Sequence, residues 1–313
     1  MRTDSRTGGT RNQVVIRVTS GLGNQLFQLA WGVYVASKRD ADLLLDTTWF
    51  GLVAGFHRPK RIFRLNRLHG DYIEAFRGAR RLAVGFFGAL YDWKKVGLRP
   101  LEALGKMQVA QENSLTSRQP EGLFGDPNRR LYLNGYWQTA EAFMATRLTL
   151  TPLLQPKAGL SNPATWWLNR IKSEPAAFVH VRRGDYAHWM GEQGMLPESY
   201  YRRAAETLRS KGFFARRWFV FAEDAAWAKQ NLGFLGTHEF VEYESVQRDI
   251  EDLHLMAACD AGIIANSSYS WWGAALGDRD GRPVVAPDHY WNRPGTGTQH
   301  WGLPAWERIP GWD

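Results

Sequence analysis

The run His180-Val181-Arg182-Arg183-Gly184-Asp185 closes an apolar segment with a dense polar cluster. Guanidinium groups are always charged and present a planar fork of donors that matches phosphate oxygens. Adjacent arginines therefore suit a phosphate or pyrophosphate. The plainer reading is a strand that ends in solvated arginines, one of them paired with Asp185. Downstream, Ala222-Glu223-Asp224 offers carboxylates that can accept hydrogen bonds from a nucleotide base or ribose, or can cap a helix. Asn266-Ser267-Ser268-Tyr269-Ser270 offers hydroxyl and backbone donors to a phosphate, or again a cap. Near the N-terminus, Ser20-Gly21-Leu22-Gly23-Asn24-Gln25 is a glycine turn ahead of a helical pattern. That arrangement aims free backbone N–H groups at an anion. It lacks the third glycine of a dinucleotide fingerprint, and Asn24 could simply cap the helix.

Regular elements have to bring these clusters together. Residues 177–181 read as a buried strand, with Phe178, His180 and Arg182 on one face and Val179, Val181 and Arg183 on the other. Strands are also expected at 218–221, 240–241, 262–265 and, as the last clear one, 282–286. Helices are expected at 164–172, 196–211, 225–231, 247–258 and 271–276, with 266–270 as a polar turn. Strand and helix alternating in this way give a parallel doubly wound sheet. Ligands of such sheets bind beyond the carboxyl ends of the strands, where the three downstream clusters can converge. Upstream, a strand at 14–18, a helix running to about residue 39, strands at 41–46 and 130–136 and a helix at 140–144 read as another α/β unit. Residues 49–127 mix basic, aromatic and glycine residues and read as helices with long loops. The Pro-, Gly- and Ser-rich stretch 151–163 marks a domain boundary. The expected organisation is a flexible leader at 1–12, an N-terminal domain at 13–155 and a C-terminal domain at 156–313.

The net charge of +8 favours anionic partners. Much of the excess lies between His57 and Lys95, in Arg58, Lys60, Arg61, Arg64, Arg67, Arg77, Arg80 and Arg81. This region is either a solvated face or a contact with an anionic membrane surface. No apolar run of ~18 residues is present, so no membrane-spanning helix is expected. The N-terminus also lacks the apolar core of a signal peptide. The single cysteine, Cys259, excludes an intramolecular disulfide and suits a cytoplasmic location. Asp278-Arg279-Asp280 has the form of a metal-binding Asp-x-Asp, but it lies between Gly277 and Gly281 and reads as a solvated turn. No metal site is expected.

The same residues carry a family resemblance. Ser20-Gly21-Leu22-Gly23-Asn24-Gln25-Leu26-Phe27-Gln28 resembles the N-terminal signature of glycosyltransferase family 11, the α-1,2-fucosyltransferases. His180-Val181-Arg182-Arg183-Gly184-Asp185 is similar to the His-x-Arg-Arg-x-Asp motif shared by α-1,2-, α-1,6- and protein O-fucosyltransferases. The segment from Ile264 to Ala274 is similar to the late motif of the family, and 132–138, 221–224 and 249–253 also fit. The resemblance implies a GT-B-like fold, two Rossmann-like domains facing a central cleft, with GDP-fucose held mainly by the C-terminal one. It implies that Arg182 and Arg183 hold the pyrophosphate, with His180 and Asp185 organising that site. Ser267, Ser268 and Tyr269, with Asn266 beside them, would meet the phosphates. Asn24, in its turn with Gly21 and Gly23, would lie near the β-phosphate and fucose. Glu223 and Asp224 are looser matches for guanine, because the family usually shows Ser-Asp-Asp where this chain has Ala-Glu-Asp. The implied reaction is inverting, metal-independent transfer of L-fucose to a galactose-containing glycan, with no cofactor and no nucleic-acid partner. Asp185, His188 and Glu192 are the candidate bases, and the chemistry could run without one. The rival readings are a fucosyltransferase of α-1,6 or other linkage and a non-catalytic nucleotide- or anion-binding protein.

Overall fold

Apolar runs bounded by polar turns build two parallel sheets. The computed structural model describes residues 12–52, 61–94, 107–112, 123, 130–184, 194–290 and 302–312. All of the expected leader except Asn12 lies outside them. The chain divides into two compact units, Met1–Lys157 and Ala158–Asp313.

In the first unit the elements run β1 (Gln13–Arg17), α1 (Leu22–Lys38), β2 (Asp42–Asp46), α2 (Trp49–Leu52), β3 (Ile73–Glu74), α3 (Gly78–Lys94), β4 (Met107–Gln111), β5 (Arg130–Asn134) and α4 (Ala140–Leu153). The strands pair in parallel in the order β3-β2-β1-β5-β4. Val14, Val15 and Ile16 are fully buried, as expected of a strand covered on both faces. α1 is buried nearly all round, the signature of a core helix. Gly32 lets it sit close to the sheet, since a Cβ there would lie 2.8 Å from Leu43 Cδ1 and 3.1 Å from Ile16 Cγ2. β4 falls in the stretch read as helices and loops. α4 runs through Pro152, so the helix continues into the segment read as aperiodic.

In the second unit the elements run α5 (Asn162–Ile171), β6 (Ala176–Val181), α6 (Glu198–Ser210), β7 (Arg217–Ala222), α7 (Ala225–Asn231), β8 (His238–Phe240), α8 (Arg248–Ala258), β9 (Ala261–Ile263), α9 (Ser268–Leu276), β10 (Val284–Pro287) and β11 (Glu307–Ile309). The parallel order is β11-β10-β9-β6-β7-β8. β11 lies beyond the last strand read from the sequence. One face of β6, through Ala177, Val179 and Val181, packs on Tyr200, Tyr201, Ala204 and Leu208 of α6. No helix among the described residues is long and apolar enough to cross a membrane.

Candidate active site

In the second sheet the chain moves outward from β6 to β7 and β8, then returns to place β9 on the other side of β6. Ligands of open α/β sheets bind at the carboxyl ends of strands where the order reverses in this way. Here that point lies between β6 and β9. β6 leads into Arg182 and Arg183, whose carboxylate partners Glu223 and Asp224 follow β7 on its other side, and β9 leads into Asn266, Ser267 and the start of α9.

Both arginines are largely buried and carry more exposed carboxylate partners. Arg182 is 13% exposed and its Nη1 donates to Glu223, which is 46% exposed. Arg183 is 19% exposed and its Nε lies 3.9 Å from Asp224 Oδ2, with Asp224 42% exposed. The Arg183 guanidinium also stacks 4.3 Å from the ring centre of Trp227. Asp224 is the N-cap of α7 and accepts from Trp227 N at 3.0 Å. Gly184 makes room for Glu223, since a Cβ there would lie 2.3 Å from Glu223 Oε2.

His180 is in β6, two residues before Arg182, whose charge it feels. It is 3% exposed, and its ring centre is 5.5 Å from that of Tyr269. Burial, reinforced by the Arg182 charge, pushes its imidazole down to about 3, so it is neutral at physiological pH. Its Nδ1 has no hydrogen-bond partner among the described residues.

α9 begins at Ser268, three residues before the expected Trp271, which places Ser268, Tyr269 and Ser270 in its first turn. Ser267 is the N-cap, and its Oγ accepts from Tyr269 N at 3.3 Å. The Tyr269 hydroxyl donates to the Asp249 carbonyl at 2.6 Å and braces α9 against the start of α8. Burial raises that phenol well above its usual range. Asn266 is fully buried and donates from Nδ2 to the carbonyls of Gly194 and Tyr290, each at 2.9 Å. Tyr269 and Asn266 thus position the turn, while Ser267 and Ser268 supply the backbone of a helix start.

The first sheet reverses between β1 and β5. Gly21 is the N-cap of α1, so Asn24 does not cap the helix and instead stands in its first turn, next to Gly23. Asn24 Nδ2 donates to Ser20 Oγ at 3.0 Å, and its Oδ1 accepts from Gln138 Nε2 at 2.7 Å. Gln28, not singled out in the sequence, donates to Thr19 Oγ1 and the Gly135 carbonyl, both at 3.0 Å. Ser20 and Trp137 hold left-handed φ values of 67° and 54° on either side of this network. Non-glycine residues keep such conformations only where their surroundings enforce them. Arg17, 3% exposed, is a further buried cation at this edge, bonded to Asp92 at 2.9 Å and Asn134 at 3.3 Å. Its position at the end of the apolar run Val14-Val15-Ile16 is the signal that could have drawn attention to it.

Asp185, His188 and Glu192 lie outside the described residues. Asp278 and Asp280 precede β10 and so lie at the amino edge of the sheet, away from the arginines. Among the described residues no group of three or more His, Cys, Asp or Glu side chains could hold a metal ion.

Two parallel α/β units in one chain, each with polar residues gathered where its strand order reverses, make a GT-B-like fold. The model of glycosyl transferase family 11 matches residues 115–309. The chain belongs to glycosyltransferase family 11. It is 27% identical over 288 residues to an α-1,2-colitosyltransferase of Escherichia coli, covering 90% of this chain and 93% of that protein. It is 28% identical over 291 residues to the O-antigen biosynthesis glycosyltransferase WbnK of Escherichia coli, covering 86% and 92%. The solved structure of an Arabidopsis thaliana FUT1 variant in complex with GDP matches at a TM-score of 0.51 and 12% identity, covering 96% of this chain and 76% of that one. At that identity the likeness is one of fold.

Proposed function

We propose that the chain transfers L-fucose from GDP-fucose to the 2-hydroxyl of a galactoside in a glycan, with inversion and without a metal ion. The observation that carries this reading is that Arg182 and Arg183, both largely buried, follow the carboxyl end of β6 next to the point where the sheet order reverses, and that α9 starts just after the neighbouring β9. In the reaction the bond from fucose C1 to a β-phosphate oxygen breaks, and its electron pair stays on the phosphate. The acceptor oxygen attacks the opposite face of C1 and gives up its proton. Charge grows on the phosphate, so fixed guanidinium groups favour the transition state over the ground state. They supply the positive charge that a metal ion supplies in other enzymes. Asn24 would help place the fucose. Asp185, His188 and Glu192 remain the candidates for receiving the proton. The reading carries a cytoplasmic location.

The relative named as an α-1,2-colitosyltransferase favours a second reading. Colitose is the 3-deoxy analogue of L-fucose, so the same site would take either donor unless a protein group bonds the 3-hydroxyl. Incubation with GDP-fucose or GDP-colitose, galactoside acceptors and EDTA tests both, with NMR of the product giving linkage and anomeric form. An α-1,2 product from GDP-fucose is expected. A product from GDP-colitose alone would select the second reading. Loss of transfer in EDTA would overturn metal independence. GDP binding with intact donor across a broad acceptor panel would leave only a nucleotide-binding protein.

A further inference from the structure

A pocket of about 370 Å³ opens beyond the carboxyl ends of β2 and β3, within the size range of small-molecule sites. Its walls are tied down. Phe63 stands in one, and its neighbours in the chain are held by Gln25 of α1. That glutamine is fully buried. Its Nε2 donates to the carbonyls of Ser20 and Ile62, each at 2.9 Å, and its Oε1 accepts from Arg64 N at 2.9 Å. One side chain thus joins the turn that carries Asn24 to the loop that carries Phe63. In another wall Leu68 bridges to Pro156 and Lys157 N donates to the Arg67 carbonyl at 2.9 Å, which holds the segments of Asn66 and Lys157 together. Tyr72 packs on Gly70, where a Cβ would come within 2.3 Å of its hydroxyl. That hydroxyl is buried and has no partner among the described residues. Burial and the Asp71 charge hold the phenol above its usual range, so it stays a donor.

The lining suits an uncharged, polyhydroxylated ligand. Phe63 and Tyr72 offer aromatic surface to the C–H face of a sugar ring, while Thr47, Asn66, Asp71 and Glu74 offer donors and acceptors to its hydroxyls. Lys157 also lines the pocket, and Arg81 donates to Glu74 Oε2 at 3.0 Å and to Thr47 Oγ1 at 3.1 Å. The charges of Asp71, Glu74, Lys157 and Arg81 cancel, so nothing among them offsets the charge of an acidic sugar. We propose that this pocket binds an uncharged sugar residue of the acceptor glycan, next in the chain to the residue that receives the fucose. The inference rests on the reading of the chain as a fucosyltransferase. β2 and β3 are the first and second neighbours of β1 on one side, and adjacent strands lie about 4.8 Å apart. The pocket is therefore set off by one to two strand widths from the turn after β1 that carries Asn24. That offset leaves the reacting hydroxyl at the turn, within the ~3–3.5 Å that attack requires, and places the adjoining ring in the pocket.

The test is a ligand-observed NMR titration of the full chain in the presence of GDP. The probes are methyl β-galactoside and disaccharides of galactose joined to glucose, N-acetylglucosamine, N-acetylgalactosamine or glucuronic acid. At least one uncharged disaccharide should bind about tenfold tighter than methyl β-galactoside, and the glucuronic acid disaccharide no tighter than methyl β-galactoside. Asn66 is exposed, and Asn66→Ala should lower that preference roughly three- to tenfold. Should that variant fail to fold, Phe63→Leu, which keeps an apolar side chain against Phe50, should lower it in the same way. Transfer from GDP-fucose is followed alongside. Product formed with equal KM for methyl β-galactoside and every disaccharide overturns the pocket and leaves the transfer reading. Intact GDP-fucose beside a bound disaccharide whose affinity falls in the variant overturns the transfer reading and leaves a sugar site. The inference is also overturned by a wild type that shows no disaccharide preference, by a folded variant that keeps all of it, or by an acidic disaccharide that binds as tightly as the uncharged ones.

Discussion

Replacing Arg182 with alanine separates catalysis from stability, because the two members of its ion pair differ so much in exposure. Arg182 is 13% exposed, so its guanidinium acts in a medium poorer in water, whereas Glu223 is 46% exposed and rehydrates when its partner goes. Loss of one fixed donor to a developing oxyanion costs about 2.7–4 kcal/mol, or ~10²–10³ in kcat. Loss of an ion pair with one well-exposed member costs only about 0–1 kcal/mol. A stability change of that size moves Tm by roughly 2–4 °C in a chain of 150–250 residues, and less in a longer one. Arg182→Ala should therefore turn over two to three orders of magnitude more slowly and melt almost as wild type. Single-turnover transfer from labelled GDP-fucose, calorimetric titration with GDP and a thermal melt measure the three quantities. The charge on the β-phosphate grows along the reaction, so kcat should fall further than GDP affinity. A variant within about fivefold of wild type in kcat would refute the assignment. So would a loss of GDP affinity with kcat unchanged, the mark of uniform binding.

Glu223→Gln weakens the hold on Arg182 and should tighten GDP binding two- to fivefold, from about 0.5–1 kcal/mol of released pairing. Weaker binding on titration would instead place the carboxylate on the nucleotide. For His180 the unfolded imidazole titrates at 6.5 and the folded one at about 3, so the unfolded state takes up the proton first as pH falls. Stability is lost from pH 6.5 down towards 3, with about 2 kcal/mol gone by about pH 5. Asp252, raised by burial to about 6, acts in the opposite sense in both proteins. Urea midpoints of wild type and His180→Gln should thus diverge below pH 6.5, and parallel curves would contradict the neutral buried imidazole. Gly277→Ala would set a Cβ 2.2 Å from the Ala257 carbonyl oxygen. Because that contact is backbone, α8 and α9 have to separate, at a cost of about 1–3 kcal/mol readable by denaturant unfolding.

The strand ends were legible because each apolar run stops abruptly at polar residues, as at Val181-Arg182 and Ala265-Asn266. What brings them together was not, since the return of β9 to the side of β6 is set by pairing across some eighty residues of sequence, Phe178 against Gly262 and Val179 against Ile263. The start of α9 was hidden by its hydroxyls. Ser268-Tyr269-Ser270 has the composition of a turn, yet Tyr269 spends its hydroxyl on Asp249 and Ser270 on the Ala265 and Ser267 carbonyls. β4 and β11 are edge strands in their sheets, paired on one side only, so Met107-Gln108-Val109-Ala110-Gln111 carries no continuous apolar signal. The alternative in which Asn24 merely caps its helix does not hold, because Gly21 stands at the cap. Asn24 is fixed by Ser20 and Gln138, a partner 114 residues away.

The Arg182–Glu223 pair also bears on selectivity among the anions of a cell. Glu223 is a tethered counter-ion that any anion arriving at Arg182 has to displace. An inorganic phosphate or sulfate has to displace it with one group and gains little by the exchange. A nucleoside diphosphate brings adjoining phosphates, ribose and base together, so the one release is set against many contacts. On the proposed reading the carboxylate gives a bias of about the two- to fivefold size set by that pairing, against small anions at Arg182 and in favour of a ligand large enough to engage its surroundings at once.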